Sequence, residues 1–272
     1  MNTFLIGKKE NLVPVEQAYL NSKNINIVKD KDDAFFYTVV GGDGIILDKE
    51  TKEICMERPV LRVHNSDGVK SLGFTCDVNL SNLKQAIEDI DNNLFSYERV
   101  NLLKYTINLN GAPKGYALNE VSIESVTRGR TVLLDTSIDV CGDIEKLPTP
   151  KCTGVLVTSN YGSTAWNASA NGPILLKDKN SFGSLIINLR EAPIIFSKYI
   201  TQWNSVVTLK TCYDALVTAD KDTFELPQGS SVSVSISDNH AISFIKTKNT
   251  EEKIMDKLLR YIKYQSERVN EE

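Results

Sequence analysis

Three glycines surround one aspartate directly after an apolar run, in the sequence GGDG at positions 41–44. Glycine lets another group approach the backbone closely, so Gly42 and Gly44 could pass near a ligand. Free N–H groups in such a loop can bind phosphate oxygens. The Asp43 carboxylate would repel a phosphate unless it met a metal ion or accepted a proton from a substrate hydroxyl. The loop therefore indicates phosphoryl chemistry, or else a tight turn in which Asp43 caps local N–H groups.

A second polar segment follows another apolar run, in the sequence SNYGSTAW at positions 159–166. Hydroxyl groups and free N–H groups at the start of a short helix suit a polar or anionic ligand. The rings of Tyr161 and Trp166 could pack against a base or a ribose, although a core tryptophan beside an ordinary helix cap is the alternative. Between the two polar segments lies the pair Asn119-Glu120, which by itself could mark only the end of a strand at a turn.

The elements that would position these segments change character along the chain. The run 33–40 is continuously apolar, which predicts a parallel strand covered on both faces, and 58–65 predicts another strand. The stretch 81–95 has helical spacing, with Ser81 as the expected N-cap and an apolar face that ends at Leu94. Alternating strands and helices favour an α/β layer for the first hundred residues.

The second half of the chain is mostly β in pattern. Apolar residues alternate with polar ones over 131–140, and they alternate more strictly with serines over 230–239. The tail, 249–272, has the spacing of an amphipathic helix. A single amphipathic helix after a β domain must bury its apolar stripe, and packing back onto the α/β layer is one solution.

Composition excludes several classes of function. The 272 residues are 41% hydrophobic and 24% charged, which is typical of a soluble globular protein. A net charge of −4 argues against a general nucleic-acid-binding protein, which would carry a basic stripe. No run approaches the roughly 18 apolar residues of a membrane span, and the first ten residues have too short an apolar core for a signal peptide.

Cysteine and histidine usage narrows the chemistry further. The five cysteines are odd in number and none is spaced C-x-x-C, so we expect reduced thiols in a cytoplasmic protein. With only two histidines, a Ser-His-Asp triad or a histidine-based zinc site is poorly supported. A reaction that uses carboxylates and a bound metal–phosphate complex is easier for this composition to support.

Taken in order, the segments resemble the NAD kinase family. That family carries a GGDGT loop, an Asn-Glu pair in a strand-rich second domain, and a TPTGSTAY-like stretch that runs into S-A-G-G-P. A lesser match over 61–77 is similar to the family's G-x-N-x-G-x-L-G-F stretch. GGDG alone is shared with diacylglycerol and sphingosine kinases, so the later blocks make the resemblance specific. The matching blocks here are GGDGI at 41–45, Asn119-Glu120, SNYGSTAW at 159–166 and SANGP at 169–173.

The resemblance implies a fold and a reaction. It implies an α/β domain at 1–97, an all-β domain at 98–248, and a C-terminal helix at 249–272 that packs back on the first domain. The reaction would move the γ-phosphoryl group of ATP, or sometimes of polyphosphate, to the 2′-hydroxyl of the adenosine ribose of NAD, giving NADP. Mg²⁺ or another divalent metal would enter with ATP. The resemblance also implies a homodimer or homotetramer, and neither nucleic acid nor a membrane is expected as a partner.

The same resemblance assigns roles to residues. Asp43 would accept the proton of the ribose hydroxyl, and no side chain is assigned as a metal ligand. The nucleotide-binding residues that it implies are Gly42, Gly44, Asn65, Phe74, Asn119, Glu120, Ser159, Tyr161, Thr164, Ala165 and Trp166.

Several departures from the family pattern keep other functions open. Ile45 stands where the family has a threonine, Thr153 where it has an aspartate, and Trp166 where it has a tyrosine. Ile45 and Thr153 favour a nucleotide-binding paralogue that has lost phosphoryl transfer and senses or regulates. A kinase for another hydroxyl, on a different nucleotide, a nucleoside or a lipid, is a further alternative. A lipid kinase should offer a basic amphipathic segment, and the sequence suggests none.

Overall fold

A computed structural model describes residues 1–65, 76–109, 114–127, 129–147, 151–175, 185–190, 192, 198–202, 204–251, 256–257 and 259. The chain divides into two compact units. The first unit comprises Met1–Val100 and Ile242–Glu272, and the second comprises Asn101–Ala241. The domain limits expected from the sequence, at 1–97, 98–248 and 249–272, remain predictions.

The first unit is an α/β layer built on parallel strands. Each of β1–β2, β1–β3, β3–β4 and β4–β5 is a parallel pair, so the carboxyl ends of the strands meet at one edge. Every residue of β3 and β4 is buried, as the apolar run of β3 predicts, and in β4 this includes Arg62 and His64. Its elements are β1 (Asn2–Gly7), α1 (Lys9–Tyr19), β2 (Asn26–Ile27), β3 (Phe36–Val40), α2 (Lys49–Cys55), β4 (Val60–His64), β5 (Val78–Asn79) and α3 (Leu83–Asp91).

Helix α3 differs from expectation at both ends. Its N-cap is Asn82, and Ser81 instead donates its hydroxyl to Asn79 Oδ1 at 2.6 Å. At the other end Asn93 adopts a φ of 57°, and the N–H of Leu94 bonds back to the Asp89 carbonyl at 2.7 Å. This left-handed cap ends the helix before Leu94, whose side chain is exposed rather than part of the buried face.

The second unit consists of two antiparallel sheets. One sheet has the order β13-β12-β11-β8-β15-β16, and the other contains β10-β9-β14-β17 together with β6 and β7. Strands β6 and β17 each continue from one unit into the other. The elements are β6 (Phe95–Ile107), β7 (Lys114–Ala117), β8 (Glu120–Ser125), β9 (Leu134–Val140), β10 (Asp143–Lys146), β11 (Gly154–Thr158), α4 (Trp166–Ser169), β12 (Ile186–Arg190), β13 (Lys198–Ile200), β14 (Ser205–Thr211), β15 (Ala215–Ala219), β16 (Asp222–Leu226) and β17 (Ser231–Thr247).

Each unit has its own hydrophobic core. In the second unit the inward-facing residues of both sheets form one cluster, to which β17 contributes Val232, Val234 and Ile236. The serines between them are half-buried, so the period-two pattern of the sequence matches the two faces of the strand. The core of the first unit packs α1 and α3 against the parallel strands.

The C-terminal segment returns to the first unit. Residues 256, 257 and 259 are helical, and buried Lys257 forms an ion pair with Asp77 Oδ1. Lys246 of β17 pairs with the other oxygen of the same carboxylate and, at 3.1 Å, with Glu98. The fold is therefore an α/β unit plus a β-rich unit, as the sequence implied, and the described helical residues near the C-terminus belong to the first unit. No helix in the described part of the chain is long and apolar enough to span a membrane.

Candidate active site

The GGDG loop lies at the carboxyl edge of the parallel sheet. It follows the last residue of β3, and the N–H of Gly41 donates to the Val63 carbonyl of neighbouring β4 at 2.9 Å. Asn65 directly follows β4, so this candidate nucleotide-binding residue reaches the same edge. Ligands of open α/β sheets bind at such an edge, outside the carboxyl ends of the strands.

The loop is anchored on both sides of its aspartate. The Gly42 carbonyl accepts hydrogen bonds from the N–H of Ile45 at 3.2 Å and from Nη2 of buried Arg62 at 3.0 Å. A 3₁₀ helix then runs over Asp43–Leu47, and Ile46 within it is fully buried. Asp43 and Gly44 remain half-buried between these anchors, which leaves them accessible at the edge of the sheet.

In the second unit, Asp220 holds the backbone of the Asn119-Glu120 pair. Asp220 sits in the turn between β15 and β16 with a φ of 54°. Its carboxylate accepts the N–H of Leu118 at 2.7 Å and the N–H of Asn119 at 2.8 Å, and its own N–H donates to the Glu120 carbonyl at 3.0 Å. Two strand ends separated by about a hundred residues are therefore locked together at this turn.

Glu120 is a buried acid. The residue is only 7% exposed, and its Oε2 has no hydrogen-bond partner among the described residues. Burial, with a smaller contribution from the negative charge of Asp220, raises the pKa of the Glu120 carboxyl to about 8. At neutral pH this carboxyl holds a proton and can donate a hydrogen bond.

The SNYGSTAW segment packs directly against the Asn119-Glu120 pair. The Thr158 hydroxyl donates to the Asn119 carbonyl at 2.6 Å. A Cβ placed on Gly162 would lie 2.0 Å from that same carbonyl oxygen and 2.4 Å from Thr158 Oγ1, so only glycine allows this approach. Ser159, which is buried, accepts a weak hydrogen bond from the N–H of Gly162 at 3.4 Å.

A buried polar network fixes the turn that follows. The Ser163 hydroxyl donates to the Asn160 carbonyl at 2.7 Å and accepts the N–H of Leu175 at 3.2 Å. The side-chain amide of Asn167 donates to the carbonyls of Ser163 and Pro173 at 3.1 and 2.8 Å. The four candidate residues of the turn are half-buried at its rim; they are Tyr161, Thr164, Ala165 and Trp166.

Trp166 has an arginine on one face. The guanidinium carbon of Arg190 lies 4.6 Å from the centre of the ring, a cation–π contact. Arg190 also forms an ion pair with Glu124 and donates to the Thr153 carbonyl at 3.3 Å. The Thr153 hydroxyl donates to the Arg190 carbonyl at 3.3 Å, so this side chain bonds to its own sheet.

The structure thus brings the predicted site residues into two groups, one in each unit. Gly42, Asp43, Gly44 and Asn65 share the sheet edge of the first unit, whereas the Asn119-Glu120 pair and the SNYGSTAW turn are packed together in the second. Phe74 lies outside the described residues. The binding and catalytic roles themselves remain predictions.

Sequence reasoning did not identify Arg62 and Asp220 as the side chains that hold the backbone of these segments. Arg62 stands in an apolar strand, and Asp220 in a turn whose sequence, Asp-Lys-Asp, signals only a turn. For Arg62, the one signal in the sequence is its position inside the predicted strand 58–65. Within the described ranges, no three His, Cys, Asp or Glu side chains are grouped so that they could hold a metal ion.

Comparison with known proteins supports the resemblance. No protein-family model matches the chain. An NAD kinase from Sulfurimonas denitrificans is 28% identical over 207 residues, which cover 74% of this chain and 68% of the relative. One from Rhodococcus erythropolis is 30% identical over 205 residues, which cover 72% of this chain and 61% of the relative.

Solved structures agree in fold. An NAD kinase from Archaeoglobus fulgidus in complex with ATP has a TM-score of 0.71 at 17% identity, covering 92% of this chain and 95% of that one. Yeast NADH kinase complexed with NADH has a TM-score of 0.76 at 16% identity, covering 91% and 84%. With matching blocks in order, relatives named NAD kinase in sequence and solved NAD kinases of the same fold, the chain is similar to the NAD kinase family in both sequence and structure.

Proposed function

We propose that this protein is an NAD kinase, which transfers the γ-phosphoryl group of ATP to the 2′-hydroxyl of the adenosine ribose of NAD and releases NADP. The observation that carries the proposal is the half-buried Asp43 carboxylate at the carboxyl edge of a parallel sheet, in a loop that glycine keeps open. Phosphoryl transfer needs positioning and charge neutralisation more than covalent chemistry, and a loop of this kind supplies both.

Asp43 is the group we assign to the hydroxyl proton. A carboxylate beside the ribose can accept the proton as the oxygen attacks phosphorus, and the loop N–H groups can bind phosphate oxygens. In the second unit, the Asn119 side chain and the protonated Glu120 carboxyl would hydrogen-bond the nucleoside. Tyr161, Thr164, Ala165 and Trp166 would line the base.

Mg²⁺ or another divalent metal would enter with ATP. Mg²⁺ is usually held by one or two carboxylates and by substrate phosphates rather than by an all-protein cage. The single carboxylate of Asp43 fits that arrangement. When bound, the ion would neutralise charge on the transferring phosphoryl group. We further propose a homodimer or homotetramer in the cytoplasm, which light scattering on the purified chain and fractionation of its host would test.

The test is NADP formation by the purified full-length chain with NAD, ATP and Mg²⁺ or Mn²⁺. Asp43→Asn keeps the size of the side chain but removes the base, so we expect a loss of about 10²–10⁴-fold in kcat with nucleotide binding retained. Asp32→Asn is the matched control, because this aspartate is 81% exposed in its side chain at the opposite edge of the same sheet. Equal activity of Asp43→Asn and wild type would contradict the assignment.

A second candidate function is a nucleotide-binding protein without phosphoryl transfer. Two observations favour it: Ile45 places an apolar side chain against Gly41 in the loop, and the Thr153 hydroxyl is bonded to its own sheet. Wild-type protein that makes no NADP but is stabilised against heat by NAD or NADP would support this function. A protein stabilised by no nucleotide would contradict both functions.

A further inference from the structure

Arg62 is the least expected residue of the first unit. It is the middle residue of β4, its flanking residues Leu61 and Val63 are fully buried, and its own side chain is only 3% exposed. A charged side chain in a parallel strand is costly to bury, because desolvation disfavours the charge. Such a residue needs a structural or functional reason.

The surroundings of Arg62 point to the GGDG loop. Leu61 and Val63 face the hydrophobic core, so Arg62 faces the opposite side of the sheet. There its Nη2 donates to the Gly42 carbonyl at 3.0 Å and contacts Cys76 Sγ at 3.4 Å. Its charge also acts on Cys55 of α2: burial raises the pKa of that thiol to about 12, and Arg62 opposes part of the rise.

The contact with Gly42 has a consequence for the next residue. A trans peptide is planar, so its carbonyl and N–H point in opposite directions. Because the Gly42 carbonyl points at the buried guanidinium, the N–H of Asp43 must point away from Arg62. A hydrogen bond from a charged donor in a buried setting is also stronger than a neutral one, so this orientation is well fixed.

We propose that Arg62 is a positioning residue for the catalytic loop: by holding the Gly42 carbonyl it sets the direction of the Asp43 N–H and the place of the Asp43 carboxylate. The inference rests on the proposed function for its effect on catalysis, although its effect on the loop does not.

The variants are Arg62→Met, which keeps the length of the side chain without the charge, and Arg62→Lys, which keeps the charge with a single donor group. Lys246→Met is the matched control, because it removes another cation from the same unit, one that is half-buried and pairs with Asp77 and Glu98 rather than with the loop. Backbone amide exchange is followed by NMR in the full chain without ligand. Activity is followed as NADP formation.

The Ile45 amide bonds to the Gly42 carbonyl, which Arg62 also holds. In Arg62→Met this amide should exchange about five- to tenfold faster, because the loop loses the stabilisation of about one hydrogen bond against local opening. The Gly41 amide bonds to β4 and should change little. A loop misplaced by about 1 Å should lower kcat by about a hundredfold with KM for NAD nearly unchanged. Arg62→Lys should recover part of both effects.

Faster exchange at Ile45 in Arg62→Met and not in Lys246→Met supports the inference. Unchanged exchange at Ile45, or an equal change in Lys246→Met, overturns it. If Arg62→Met does not fold, Arg62→Lys decides, since altered Asp43 and Ile45 amide signals support the contact with Gly42 and unaltered ones overturn it. If the wild-type chain makes no NADP while the Ile45 amide still exchanges faster in Arg62→Met, the proposed function is contradicted and the positioning role is supported.

Discussion

Glu120→Gln should remove a pH dependence from the stability of the protein. The Glu120 carboxyl has a pKa of about 8 in the folded chain, against an ordinary value of 4.5. Between these values the folded chain keeps a proton that the unfolded chain has lost. Folding stability therefore falls as pH rises through this window, and the loss is complete above about pH 8.

The size of the effect follows from linkage. Each pH unit between the two pKa values costs about 1.4 kcal/mol, so by pH 7 the wild-type chain has lost about 3 kcal/mol of stability through this one group. Glutamine has nearly the same shape and cannot ionise. Because no residue in the described part of the chain bonds to Glu120 Oε2, the substitution breaks no described hydrogen bond at that atom.

The measurement is urea unfolding of the full chain at pH 5, 6, 7 and 8, followed by circular dichroism. The free energy of unfolding of Glu120→Gln should nearly equal that of wild type at pH 5 and exceed it by several kcal/mol at pH 8. Glu225→Gln makes the same charge change at an exposed position of β16 and serves as control. A difference between Glu120→Gln and wild type that does not vary with pH would refute the reasoning.

Two further substitutions test contacts that stabilise the first unit and the second unit, respectively. Asp77→Asn leaves half-buried Lys246 and buried Lys257 without their shared carboxylate, so unfolding should need about 3–5 kcal/mol less, measured by urea at pH 7. Although burial raises the pKa of Asp77, the two lysines lower it overall, so in wild type this stabilisation should disappear only as pH falls below about 4. Gly162→Ala should lower the melting temperature and weaken NAD binding, because its Cβ would overlap the Asn119 carbonyl; calorimetry showing wild-type NAD affinity would contradict this packing.

Local pattern was sufficient to predict the main elements because burial controls the pattern directly. Strand β3 is covered on both faces and is apolar except for Thr38, whereas β17 has one face in the core and alternates. The end of α3 was predicted wrongly for a different reason. Periodicity extends to Leu94, but the left-handed Asn93 ends the helix first, and a backbone conformation leaves no mark on hydrophobic spacing.

The candidate site could be predicted as segments but not as an arrangement. The glycines and the Asn-Glu pair carry their own sequence signal, and Gly162 is needed because a backbone carbonyl lies against it. Asp220 and Arg62 give no such signal, since each acts on the backbone of a loop far away in the sequence. Spacing indicates which face a residue occupies, but it does not indicate which distant peptide group its side chain will bind.

These two supports have opposite charges, and the difference determines what each loop can offer a ligand. The cationic Arg62 binds a carbonyl, so the next N–H of the GGDG loop points away from it, which suits phosphate oxygens. The anionic Asp220 instead binds the N–H of Asn119, while Thr158 binds the Asn119 carbonyl. The backbone N–H and carbonyl of Asn119 are thus both paired, so its side-chain amide and the Glu120 carboxyl are the groups of this pair that we expect to meet a ligand. Groups that both donate and accept suit sugar hydroxyls better than phosphates.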